Sequence, residues 1–131
     1  MTQAVSYTQA VQRQEFADLL GTVVADVDGE QVALTGYPVQ PATVAAYAAW
    51  PVWTATRPIA TVGCLIVETD WVIAVALPGA DAQTWSANGD ALTDAVLAAL
   101  DRYHVDRVEP GQLLVADGSA VPLLRFTISG A

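Results

Sequence analysis

His104 is the only histidine in this chain and Cys64 the only cysteine, so any imidazole or thiolate chemistry must run through these two residues. His104 stands between Asp101 and Asp106 in DRYHVD. One imidazole with two flanking carboxylates makes at best a weak metal site, because such ligands are normally clustered and carboxylates at an exposed junction stay solvated. Cys64 and His104 together would be a nucleophile and its base. Cys64 lies inside VGCLIV, however, where apolar surroundings leave a thiol inert and a small buried hydrophobe is the simpler reading. The chain has no lysine, which removes Schiff-base chemistry and the lysine of a phosphate loop. It also has no glycine-rich nucleotide-binding pattern. Asp117-Gly118-Ser119 has the composition of a tight turn rather than of a serine nucleophile. The expectation is a protein without catalytic, cofactor-binding or metal-binding residues.

Charge narrows the partners. Five arginines stand against 14 Asp and Glu, a net charge of −9. Arg13, Arg57, Arg102, Arg107 and Arg125 are scattered along the chain. No basic stripe is available to neutralise phosphates, so sequence-specific nucleic-acid binding is not expected. With 53% hydrophobic residues, the 131 residues suffice for one domain with its own core, residues 1–131. An acidic surface then keeps an apolar-rich chain dispersed. A lone cysteine fits a reducing compartment, and MTQAVSYTQAVQRQEF has no signal-peptide pattern.

The elements follow from periodicity. Phe16, Leu19, Leu20, Val23, Val24 and Val27 recur at spacings of three and four, which predicts a helix from Thr8 to about Val27, stopped by Asp28-Gly29. GEQVALTG reads as a short strand around Gln31 to Thr35. Residues 37–58 hold Pro38, Pro41, Pro51 and Pro58 among Tyr37, Tyr47, Trp50 and Trp53, which predicts an extended arm or long loop. TVGCLIVETDWVIAVAL is too short and too charged at its middle to span a membrane. Its β-branched runs, 62–67 and 71–77, predict two antiparallel strands broken at Glu68-Thr69-Asp70. Neither run alternates, so both faces need cover: helices on one side, and the aromatic segment or another subunit on the other.

A second helix is expected from Asp81, or from Asn88 if Asn88-Gly89 is a break, with Trp85, Gly89, Leu92, Val96, Leu100 and Tyr103 on one stripe. Val105–Val108, Leu113–Ala116 and Val121–Ile128 read as closing strands around the Asp117-Gly118-Ser119 turn. The fold class is α+β: a mostly antiparallel sheet, two helices packed on one face, and the Pro/aromatic arm or loop.

That order of elements resembles the tail terminator (tail completion) proteins of long-tailed bacteriophages. The resemblance is carried by the helix ending in LLGTVVADVDGEQV, the proline-bearing aromatic segment, VGCLIVETDWVIAVAL, ALTDAVLAALDRY and QLLVADGSAVPLLRFTIS. It covers most of the chain as architecture and texture, without an invariant motif. It implies a homo-oligomeric, hexameric ring that caps the tail tube and meets the head-completion or connector protein. It also implies a place at the head–tail interface of the virion, with assembly in the host bacterial cytoplasm, no membrane and no cofactor. DNA would pass through an acidic lumen without sticking. Tyr47, Trp50, Trp53, Arg57 and Trp71 are then the residues expected at the subunit interface. The alternatives are another connector or minor tail protein, or a small α+β enzyme or ligand-binding domain with a pocket around Trp50, Trp53 and Arg57.

Overall fold

Helix α1 (Thr2–Leu20) ends three residues after the buried Ala17, not at Val27. Gly21 donates its amide to Ala17 O, and Thr22 donates its amide and hydroxyl to Leu19 O, which closes the last turn. The chain then becomes strand β1 (Val24–Val27). Val23, Ala25 and Val27 point inward while Val24 and Asp26 point out. Val23 and Val27 are four apart, a spacing that puts residues on one face of a helix and of a strand alike. The β-branched Thr22, Val23 and Val24 favour the strand. Gly29, at φ 80°, joins β1 to β2 (Glu30–Ala33), with Val27 paired to Glu30, rather than stopping a helix; Asp28 lies outside the described residues.

The computed structural model describes residues 2–27, 29–44, 46–61, 64–78, 82–114 and 120–130. The remaining elements are β3 (Thr35–Gly36), β4 (Ala48–Thr61), β5 (Cys64–Ala76), α2 (Ala82–Ala99), β6 (Val105–Leu114) and β7 (Ala120–Ile128). β1 and β2 form a separate two-stranded sheet. The larger sheet runs β3-β4-β5-β7-β6, with β3 parallel to β4 and every other pairing antiparallel. This is the expected α+β class. α2 runs unbroken through Asn88-Gly89 and buries Leu92, Val96 and Leu100. The side chain of Trp85 and the turn at Asp117-Gly118-Ser119 lie outside the described residues.

Both helices and the β1–β2 hairpin cover one face of the large sheet. There Phe16, Leu20, Val96 and Leu100 meet Trp71, Ile73, Val75, Phe126 and Ile128. Burying these side chains contributes roughly 1.5–3 kcal/mol each relative to exposure. The end of α1 crosses β3 so closely that a Cβ on Gly36 would fall 2.1 Å from Ala17 O, so only glycine fits there.

Two further expectations are corrected. Residues 37–58 are not one arm, because β4 begins at Ala48 and contains Pro51 and Pro58. Beyond Ala49 no strand lies on the outer edge of β4 among the described residues, and prolines are tolerated on such an edge. Nor is there a turn at Glu68-Thr69-Asp70, since β5 passes straight through. Glu68 is the cross-strand partner of Arg57, and Thr69 is buried on the helix side. The polar interruption is thus a charge pairing within a strand.

Candidate functional site

Among the described residues, the second face of the large sheet is covered by the chain itself over only part of its area. Tyr37 and Val44, from the segment before β4, pack on Ala48, Trp50, Ala74, Ala76, Val121 and Leu123. Beyond them lies an open depression of about 540 Å³. Its floor is formed by Trp50, Val52, Val72 and Leu123, with Arg107 and Arg125 at its side. Arg125 spreads over the backbone of Gly111, where a Cβ would come within 2.7 Å of Cζ. Glycine at that position lets the guanidinium lie flat on the sheet.

The second feature is a ribbon. β5 pairs with β7 only from Trp71 to Ala76, and β3 meets β4 only at Ala48 and Ala49. From Ala55 to Thr61, and from Cys64 to Asp70, the two strands have only each other as strand neighbours among the described residues. A register shift between Trp53 and Ala55 marks where the ribbon leaves the sheet, and such bulges bend and twist a strand.

An ion cluster stiffens the ribbon base. Arg57 donates from Nη2 to Asp70 Oδ1 at 3.0 Å and to Glu68 Oε2 at 3.3 Å, and from Nη1 to Asp70 Oδ2. The Gly130 amide also donates to Asp70 Oδ1, at 3.1 Å. The Arg57 hydrogen bonds, with help from the Gly130 amide, hold the Asp70 carboxyl below its ordinary pKa, and the two carboxylates raise that of Arg57. The sequence hid this group because its members meet only through the β4–β5 register.

The five residues expected at an interface separate. Trp50 is 1% exposed and Trp71 0%, so both fill the chain's own core, on opposite faces of the sheet. Trp71 donates Nε1–H to Gln12 Oε1 at 2.9 Å and meets the Phe16 ring edge-on at 5.5 Å. Tyr47 is half-buried and its hydroxyl accepts from Asn88 Nδ2 at 2.7 Å. Trp53, 47% exposed, and the exposed Arg57 alone present themselves to a neighbour. Neither lines the depression beside Trp50, so Trp50, Trp53 and Arg57 do not converge on one pocket.

His104 lies exposed at the junction between α2 and β6, with Nε2 2.9 Å from Asp106 Oδ1. The Ser129 hydroxyl donates to Asp106 Oδ2. The three side chains resemble a triad in composition only. The carboxylate sits between serine and histidine, whereas an activated serine needs the imidazole in the middle. Cys64 begins β5, and its side chain lies outside the described residues. No helix is long and apolar enough to cross a membrane among the described residues.

Compared with models of protein families, curated proteins and solved structures, the chain matches none.

Proposed function

We propose that this chain is a structural assembly protein of a long-tailed bacteriophage, a tail terminator whose hexameric ring caps the tail tube and joins it to the head connector. The observation that carries the reading is the β4–β5 ribbon. A two-stranded ribbon is marginally stable alone in water, and open strand edges invite pairing with another chain. Proteins that remain single usually blunt such edges with charge or proline. Here Pro58 blunts β4, but from Cys64 to Val67 β5 carries neither. An arm of this kind, with the exposed Trp53 at its root, suits a protein that holds its neighbours.

Light scattering on a sizing column, followed by electron microscopy of the protein alone and mixed with isolated tail tubes, tests the reading. Rings in solution or on tube ends are the expected result. A chain that stays monomeric and leaves the tubes uncapped overturns it. A small enzyme or ligand-binding domain is the second reading, favoured by the depression beside Trp50; it predicts a monomer or dimer and uncapped tubes.

A further inference from the structure

The outward face of α2, continued by Asp101 just past its end, carries a stripe that no ion pair among the described residues answers. Asp90, Asp94, Leu97 and Asp101 recur at spacings of four, three and four, opposite the buried Leu92, Val96 and Leu100. All four are exposed, Leu97 at 37%. Asp90 and Asp94 are like charges one turn apart, and Asp101 lies at the end of the helix that disfavours an anion; both arrangements weaken a helix. Among the described residues, none of the three carboxylates takes part in an ion pair.

The depression on the far side of the sheet has the complementary make-up. Its charged residues are Arg107, Arg125 and Glu109, two cations against one anion in a chain of net charge −9. Glu109 is already 3.4 Å from Arg107. Arg125 has no ion pair among the described residues. Between the arginines and the ribbon root, Val52 and Val72 form an apolar floor.

We infer that the α2 stripe of one copy docks on the sheet-face depression of the next, with Leu97 on Val52 and Val72 and with Asp94 and its neighbours facing Arg125. This rests on the ring reading and names two surfaces that meet in addition to the ribbon. They lie on opposite faces of the sheet of one chain, so the contact is head-to-tail rather than self-complementary. Such contacts build rings when the rotation closes and filaments when it does not. A net-positive patch on an acidic protein also gives copies of that protein one preferred landing place.

A charge swap on the full chain tests the inference by sedimentation and electron microscopy, with circular dichroism to confirm folding. Asp94→Arg, on an exposed helix position, and Arg125→Glu should each weaken assembly by about tenfold or more. The double variant should recover it, because each contact then pairs Arg with Glu in reverse. Rings that form equally well in both single variants overturn the inference and leave the ring reading standing. So does a folded double variant that fails to recover. Filaments that obey the swap keep the inference and overturn the ring. A wild-type chain that stays monomeric even at about millimolar concentration and also leaves isolated tail tubes uncapped overturns both.

Discussion

Trp71 and Trp53 are cross-strand partners in β4 and β5 with opposite roles. Trp71 is enclosed by Phe16 and tied to Gln12, so Trp71→Ala should cost about 3–5 kcal/mol in urea unfolding. Trp53 is half-exposed and its indole donates only to Thr56 Oγ1 at 2.8 Å. Trp53→Ala should shift the same unfolding curve by less than about 1 kcal/mol while reducing self-association. If assembly is untouched, Trp53 is not an anchor. Asp70 gives a prediction in pH. Its folded-state pKa is depressed by Arg57 and the Gly130 amide, so it stabilises the native chain above the ordinary aspartate value. That stabilisation is lost as pH falls through the lowered value. Asp70→Asn should therefore be less stable than wild type at neutral pH, and the gap should begin to close below about pH 4. Urea midpoints measured across that range decide it, and a gap independent of pH would show that Asp70 acts through packing.

Among the elements, the second helix and the last strand were legible from their spacing, whereas Val105–Val108 and Leu113, read as parts of two strands, lie in one, β6, which runs through Pro110-Gly111. Leu92, Val96 and Leu100 are buried as their spacing requires, and β7 follows the Val121–Ile128 prediction closely. The helix end failed where two periods coincide, at Val23 and Val27. β5 failed where cross-strand charge pairing imitates a turn, at Glu68 and Asp70. In the same way, prolines hid β4, because only the topology shows that its outer edge is open. The ribbon yields its own measurement. Amides facing an open edge exchange quickly, and paired ones slowly. In dilute monomer, amides between Cys64 and Asp70 should exchange faster than those from Trp71 to Ala76, which sit between β4 and β7. Assembly through the ribbon should slow the first group selectively. Unchanged exchange on assembly would place the contact elsewhere.

For the molecule as a whole, the order of periodic segments carried the class and composition the acidity, and neither assigned the surfaces. Trp50 and Trp71 look from the sequence as available to a neighbour as Trp53 does, and only the sheet decides which are internal. The ionic group at Arg57 and the placement of Arg125 over Gly111 were invisible for the same reason, since both join residues from separate strands. Self-association carries a thermodynamic signature. If only folded chains associate, the apparent Tm rises with protein concentration. A scan by calorimetry over a hundredfold concentration range should show that rise, and a flat Tm would argue for a chain complete in itself.

β5 is one uninterrupted strand of 13 residues, and at roughly 3.3 Å per residue it reaches about 43 Å. Its first half is ribbon and its second half is the middle of the core sheet, with Trp71 at the joint. The strand is therefore a lever with an indole at its fulcrum. A pull on the ribbon would be read at a fluorophore packed against Phe16 and Gln12.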